Sequence, residues 1–332
     1  MAEAILTRRG VFLTREDLPP SPTGNGDVSS VFNPGAIRWQ GMDRFLLRVQ
    51  SRSRETYLYT ASRSDSGQVD VASRPLELTG LEDVAHGLTI YHIYDPRLTE
   101  IEGTVVAMLA VDTSEGCRLL TLRTDDFAEW KTVAMDRSGD RRNGVLFPRR
   151  VDGEYLRLER PNHDVASGQP RSGSTVVLST SPDLETWKEV GPVFSGRPHF
   201  WDELVGPGPP PILTEEGWLL IYHGVATHFA AAQVYQAGAI LLDRNDPTKV
   251  LGRTRENILE PRELYETTGQ VPNVVFPSGW IPQVMAGRDV NSFHSSTVEV
   301  DVYYGAADTC VAWASTTVGR MLGALANPLA LS

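Results

Sequence analysis

The sequence predicts an all-β protein, a five-bladed β-propeller, and three observations predict it. A degenerate repeat runs along the chain, each repeat reads as strand and turn in alternation, and helical periodicity is scarce. Five segments carry a proline in an apolar, strand-like context: FNPGAI around Pro34, YDPRL around Pro96, VLFPRRV around Pro148, PPPILT around Pro211 and VVFPSGW around Pro277. Successive prolines are 62, 52, 63 and 66 residues apart.

A turn and a second strand follow each of these segments, in RFLLRV, GTVVAMLAV, GEYLRLE, EGWLLIYHG and VEVDVYYGAAD. A third strand comes next, in TYLYTASRSDSG, RLLTLRTDDFAEW, TVVLSTSPDLETW, QAGAILLDRNDP and CVAWASTT. The Ser-Asp, Asp-Asp, Pro-Asp and Asn-Asp pairs suit tight turns, because short polar side chains bond their own backbone. Four-stranded sheets repeated radially make a propeller, so five units in 332 residues read as five blades. A two-sheet sandwich is the structural alternative.

The whole chain, 1–332, is expected to form one catalytic domain. Residues 1–30 read as a closing arm or loop, with LPPSPTGNG closing the ring from outside, and 316–332 as a short helical cap.

Composition narrows the partners. Apolar residues at 41% and charged residues at 22% are the balance of a soluble globular protein with a large core. A net charge of −11 argues against phosphate backbones and anionic lipid, so neither nucleic acid nor membrane is expected as a partner. Cys117 and Cys310 fit no disulfide framework or zinc spacing and are expected as buried free thiols. No His, Asp or Glu spacing demands a metal, and no cofactor is expected. MAEAILTRRGVFLTRED lacks an apolar h-region and a cleavage site, and no segment offers about 18 uninterrupted apolar residues, so a cytoplasmic enzyme is expected.

In a propeller the innermost strands converge on the axis, so matching positions in each repeat meet in one funnel. Asn33, Asp95, Arg142 with Asn143, the WDEL segment 201–204 and Asn273 lie just before or within the Pro-marked segments. Asp95, between Tyr94 and a φ-fixing proline, is the first candidate for an acid. Glu203 lies beside Trp201, whose face could stack on a sugar ring, and ahead of a Gly/Pro run read as unable to form regular structure. A carboxylate there could activate water, and Asp202 is its rival. Arg142, Arg160 and His223 form a candidate anion site, since guanidinium groups bind oxyanions with a pre-set fork. Asp308, with Tyr303 and Tyr304 upstream, is placed to grip sugar hydroxyls.

Together these motifs resemble glycoside hydrolase family 130, the mannoside phosphorylases and β-1,2-mannosidases, whose members are five-bladed propellers. The resemblance runs through FNPGAI, LLRV, ASRSDSG, YDPR, VLFPRRVDGEYLRLERP, GPGPPPILTEEGWLLIYHGV, VVFPSG and VYYGAADT in order. It implies that Asp95 is the proton donor, acting through a hydroxyl of the bound sugar. It also implies that Asn33, Arg48 and Asp308 contact the mannose, and that Arg142, Arg160 and His223 occupy phosphate-binding positions. The substrate-binding set is thus Asn33, Arg48, Tyr94, Arg142, Asn143, Arg160, Trp201, His223, Tyr304 and Asp308, with Asp95 and Glu203 catalytic.

Leu204 stands where the phosphorylases usually place a lysine, and the WDEL segment is similar to the hydrolase branch. The sequence alone therefore favours an inverting β-mannosidase acting on short β-1,2-linked mannosides, with Asp95 as acid and Glu203 as base. A phosphorylase using inorganic phosphate and releasing α-mannose 1-phosphate is the first alternative. A non-catalytic sugar-binding propeller is the second. The partner expected is a small carbohydrate, and association into a homo-oligomer stays open.

Overall fold

Five sheets, antiparallel but for one short edge strand in the second, succeed one another along the chain, each a blade built outward from the axis. The computed structural model describes residues 4–22, 27–162, 173–227, 233–283 and 293–326. Blade 1 runs from Val28–Val31 and Gly35–Trp39 at the axis through Met42–Ser51 and Thr56–Arg63 to Val69–Val71. Blade 2 comprises Ile90–Ile101, Thr104–Thr113, Gly116–Thr124 and Trp130–Asp136, with Leu78–Thr79 on its outer edge. Blade 3 comprises Arg141–Leu146, Tyr155–Pro161, Thr175–Ser181 and Lys188–Ser195. Blade 4 comprises Leu204–Pro207 with Ile212–Leu213, then Trp218–Ala226, Val234–Leu242 and Val250–Thr254, edged by Leu325–Ala326.

Blade 5 closes the ring. Its first three strands are Val275–Pro282, Glu299–Ala306 and Cys310–Thr317, and its outermost strand is the N-terminal Thr7–Leu13, paired antiparallel with Cys310–Thr317. What reads as an arm or loop at 1–30 thus contains a strand. Arg8, Arg9 and Gly10 mask its alternation, and Arg8 is held by buried Glu266 at 2.9 Å. Residues 23–26 of the LPPSPTGNG stretch lie outside the described residues. A helix at Val318–Gly323, its first turn capped by the Thr317 hydroxyl, falls within the C-terminal segment read as a cap, of which 327–332 also lie outside.

The core sits in the seams between blades, and five apolar clusters fill five seams. Leu46 and Leu58 meet Leu98 and Val105 between blades 1 and 2, and Met108 and Leu119 meet Leu146 and Tyr155 between 2 and 3. Leu158 and Val176 meet Trp218 and Leu220 between 3 and 4, and Leu219 and Ala239 meet Val300 and Val302 between 4 and 5. Phe45 and Leu47 meet Ile281 and Tyr303 between 5 and 1. Each such side chain contributes roughly 1.5–3 kcal/mol on burial. The fifth seam exists only because the sheets close on themselves, which a two-sheet sandwich cannot do.

The polar turns behave as their chemistry requires. Asp126 accepts the N–H groups of Ala128 and Glu129, Asp183 those of Glu185 and Thr186, and Asp243 those of Asn245 and Asp246. Cys117 and Cys310 are buried and unpaired. Among the described residues no helix is long and apolar enough to cross a membrane, and no cluster of His, Cys, Asp and Glu could hold a metal.

Candidate active site

The register of the two innermost strands places the site. In blade 2 the pairing slips between Tyr94 and Arg97, leaving Asp95 and Pro96 as a bulge; in blade 3 it slips between Arg142 and Val145, leaving Asn143 and Gly144. Asp95 and Asn143 both adopt left-handed backbone, φ 54° and 57°, which short polar side chains tolerate better than other non-glycine residues. The bulge turns these side chains out of the sheet and toward the axis. Just before it the inner strands carry Tyr94, Arg142, Gly206 and Phe276, paired with Ala110, Arg160, His223 and Gly305, while Phe32 bonds the Arg48 carbonyl at 2.8 Å. Arg48, Arg160 and His223 are therefore one position seen in three blades. Beyond the bulge Arg97 is 1% exposed, whereas Tyr91 before it is 58% exposed, so the funnel opens at the start of the inner strands.

On one side of the axis stand two carboxylates and an arginine. Asp95 Oδ1 accepts from Asn33 Nδ2 and Arg48 Nη1, each at 2.8 Å. The Arg48 guanidinium lies 4.2 Å from the Phe32 ring centroid and 4.8 Å from that of Tyr94. Gly305 makes room for this arrangement, since a Cβ there would lie 2.0 Å from Asn33 Oδ1. Asp308 occupies the second central position of the hairpin turn Ala306–Thr309, where Ala307 and Asp308 have φ of 45° and 48°. Burial pushes the Asp308 carboxyl up to about 6, partly offset by Arg48 and reinforced by Asp95.

That shift sets a pH dependence. The folded protein holds the Asp308 proton more tightly than the unfolded chain, so its stabilising contribution is complete below the ordinary aspartate range and is lost as pH rises through about 6. The Asp308→Asn variant is expected to lose this dependence, and its melting temperature should fall less than the parent's between pH 4 and pH 7. Parallel melting curves for the two proteins would remove the assignment.

Across the axis stand the cations. Tyr94 donates to Asp112 at 2.8 Å and Arg142 Nη2 reaches the same oxygen at 3.1 Å. Arg160 is 5% exposed and bonds Asn162 at 3.2 Å. Burial is the main cause that lowers its pKa, and the like charge of Arg142 adds to it. Nε of Arg142 and Nε of Arg160 are both buried with no hydrogen-bond partner among the described residues. His223 is fully buried, 3.3 Å from the Asn143 amide and 4.4 Å centroid to centroid from Phe276. Burial, then Arg160 and Arg97, drive its pKa well below the usual value, so its ring is neutral at pH 7. Gly206 is required beneath it, since a Cβ there would meet His223 Cε1 at 2.4 Å.

Several expectations are corrected. Tyr304 is wholly buried on the seam face of its strand and donates to Glu266 at 2.8 Å, so it belongs to the core and not to the substrate-binding set. Trp201, half-buried, packs over Gly224 and Gly238, stacks on Tyr222 at 5.7 Å and gives its indole N–H to the Arg255 carbonyl, contacts that anchor the segment and take up one face of the ring. Asp202 is fully buried and saturated by Arg197, Arg253 and Tyr222, which removes it as a rival base. The Gly/Pro run following it begins as the strand Leu204–Pro207. The backbone carbonyl of Asn273 accepts from the Tyr235 N–H, which leaves the expected place of its side chain unchanged.

Glu203 stands at the mouth, three positions before Gly206, a rise of about 10 Å along the strand. The Thr227 hydroxyl donates to it, and this bond lowers its pKa, so it is a carboxylate at neutral pH. Two site residues escape the sequence reading. Tyr235 stacks 6.3 Å from the His223 ring, and the charges of Arg160, Asp308, Arg142 and Asp95 act on its hydroxyl, yet it opens a third strand, where the inner-strand rule does not look. Arg97 lies beneath Asp95, and only the arginine of YDPR signals it.

The comparisons agree with this architecture. Residues 18–327 match the model of glycoside hydrolase family 130, described as beta-1,4-mannooligosaccharide phosphorylase. The chain is 30% identical to the beta-1,4-mannooligosaccharide phosphorylase of Ruminococcus albus, over 92% of this chain and 86% of that protein. The solved beta-1,2-mannobiose phosphorylase of Listeria innocua, in complex with beta-1,2-mannobiose, superposes with a TM-score of 0.76 at 25% identity, covering 95% of this chain and 96% of that one. Another structure, from work on glycoside hydrolases of the family that target beta-1,2 mannosidic linkages in Candida mannan, shares the fold with a TM-score of 0.76 at 23% identity, covering 99% and 97%.

Proposed function

From the premise that this chain belongs to glycoside hydrolase family 130, a family of mannoside-processing five-bladed propellers, we propose that it is an inverting phosphorylase of short β-mannosides. One observation carries the reading. Arg142, its side chain 28% exposed, and buried Arg160 bring two guanidinium groups to one wall of the funnel, beside Asn143 and neutral His223, each with a buried Nε donor that no protein group fills among the described residues. A water nucleophile needs no such cations, whereas a phosphate is bound by charge-assisted forks of this kind. Asp112 bonds Arg142, and among the described residues no other carboxylate bonds either arginine.

In the step proposed, a phosphate oxygen held by Arg142 and Arg160 attacks the anomeric carbon. The glycosidic C–O bond breaks, and the Asp95 proton reaches the leaving oxygen through a sugar hydroxyl. The products are α-mannose 1-phosphate and the shortened acceptor. A second reading, hydrolysis with Glu203 as base, is favoured by Leu204 in place of the lysine and by the ionised Glu203 at the mouth.

Incubating the protein with β-1,2- and β-1,4-mannobiose, with and without phosphate, tests both readings. The expected result is strict phosphate dependence with mannose 1-phosphate as product. Arg160→Met should raise the KM for phosphate at least about tenfold, the loss of one charge-assisted bond, and Glu203→Gln should keep most of the turnover. Phosphate-independent release of mannose that Glu203→Gln abolishes would replace phosphorolysis by hydrolysis. Sugar binding without turnover under either condition would support the non-catalytic reading.

A further inference from the structure

Arg97 is a fully buried cation that the proposed chemistry does not use. Its Nε donates to the Gly208 carbonyl at 2.8 Å, and its Nη1 to the carbonyls of Asp95 and Pro96 at 3.0 and 3.3 Å. No carboxylate pairs with it among the described residues, Nη2 has no partner there, and burial lowers its pKa to about 10. An unpaired buried charge is costly, and an apolar side chain could fill the same space.

The repeat shows what is unusual here. The first position after the bulge is Gly35 in blade 1, Val145 in blade 3 and Gly279 in blade 5, each small and each paired with the second strand as Arg97 is with Met108. Of these four blades only blade 2 carries a long side chain there, and it reaches across to blade 4. One end of the guanidinium holds both carbonyls of the bulge that displays Asp95. The other end holds Gly208, two residues beyond the glycine beneath His223.

Resting on the reading of Asp95 as the acid, we infer that Arg97 is a positioning residue for it. Arg97 fixes the left-handed bulge through its main chain and sets the spacing between the acid on blade 2 and the His223 end of the anion site, on blade 4. A displacement of about 1 Å in such an arrangement costs on the order of 10²-fold in rate.

The test compares two substrates. Cleaving mannobiose needs a proton on the leaving oxygen, whereas an aryl β-mannoside with a 2,4-dinitrophenolate leaving group does not. Arg97→Lys, which keeps the charge but not the fork, and Arg97→Met, which keeps the bulk, are assayed per folded molecule beside Asp95→Asn. Both Arg97 variants should lose about 10²-fold in kcat on mannobiose and much less on the dinitrophenyl mannoside, the split Asp95→Asn itself shows, with KM for mannobiose little changed. A merely structural arginine predicts equal losses on the two substrates, and that result, or unchanged turnover of mannobiose, overturns the inference. The comparison runs identically with phosphate or water as nucleophile, so its failure is distinct from failure of phosphorolysis.

Discussion

Asp95→Asn is expected to lower turnover of an unactivated β-mannoside by roughly 10²–10⁴-fold, the range a positioned general acid supplies, with the fold intact. Asparagine tolerates left-handed backbone as aspartate does, so the bulge at φ 54° survives the change. The amide keeps a carbonyl oxygen to accept from Asn33 Nδ2 and Arg48 Nη1, both now at 2.8 Å from Oδ1. What it lacks is a transferable proton. Steady-state assays on mannobiose alongside thermal melts separate chemistry from stability. Turnover equal to the parent's would remove Asp95 as the acid, whatever the nucleophile.

Asp202→Ala is expected to be the most destabilising change in the site region, by about 3–5 kcal/mol, because it strips buried charges of their partner. The carboxylate accepts Arg197 Nε and Nη2 at 2.8 Å each, Tyr222 Oη at 2.7 Å and Arg253 Nη2 at 2.6 Å. Without it two arginine side chains and a tyrosine hydroxyl lose their common acceptor, and the segment bearing Glu203 loses its attachment to blade 4. For a chain of this size that loss lowers the melting temperature by on the order of 10 °C. Denaturant unfolding reads the difference directly, and a loss under 1 kcal/mol would show that water or rearrangement satisfies both arginines. Asp202→Asn, which keeps an acceptor oxygen, should fall between the two.

These two residues show how far residue type carries an argument. The place of Asp95 beside Asn33 was legible from the sequence: YDPR alone suits a turn carboxylate as well, but its repeated position and one family's motif order single it out. Asp202 and Trp201 were open to the wrong reading. An acidic pair beside a tryptophan looks the same whether it faces a sugar or a sheet. Only the glycines at 224 and 238, which admit the indole, and Arg253, some fifty residues onward, show that it faces inward. Tyr304 illustrates the same limit. Alternation along a strand says that one of two adjacent tyrosines faces each way, but both faces here meet a neighbouring blade, so neither tyrosine reaches the funnel.

Local chemistry written in the chain determined the all-β class, the five-unit count, the aspartate turns and the grouping of Asn33, Asp95, Arg142 and His223. Period, turn residues and proline spacing are properties of short stretches, and a propeller repeats them. The tertiary structure alone decided where the ring closes, which strand fills its last edge, and that Arg97 reaches across to blade 4. It also decided that Glu203 stands at the mouth and the unfilled arginines stand deeper. Those facts depend on register, where a bulge of one or two residues turns a side chain from sheet to axis, and on contacts between blades distant in sequence.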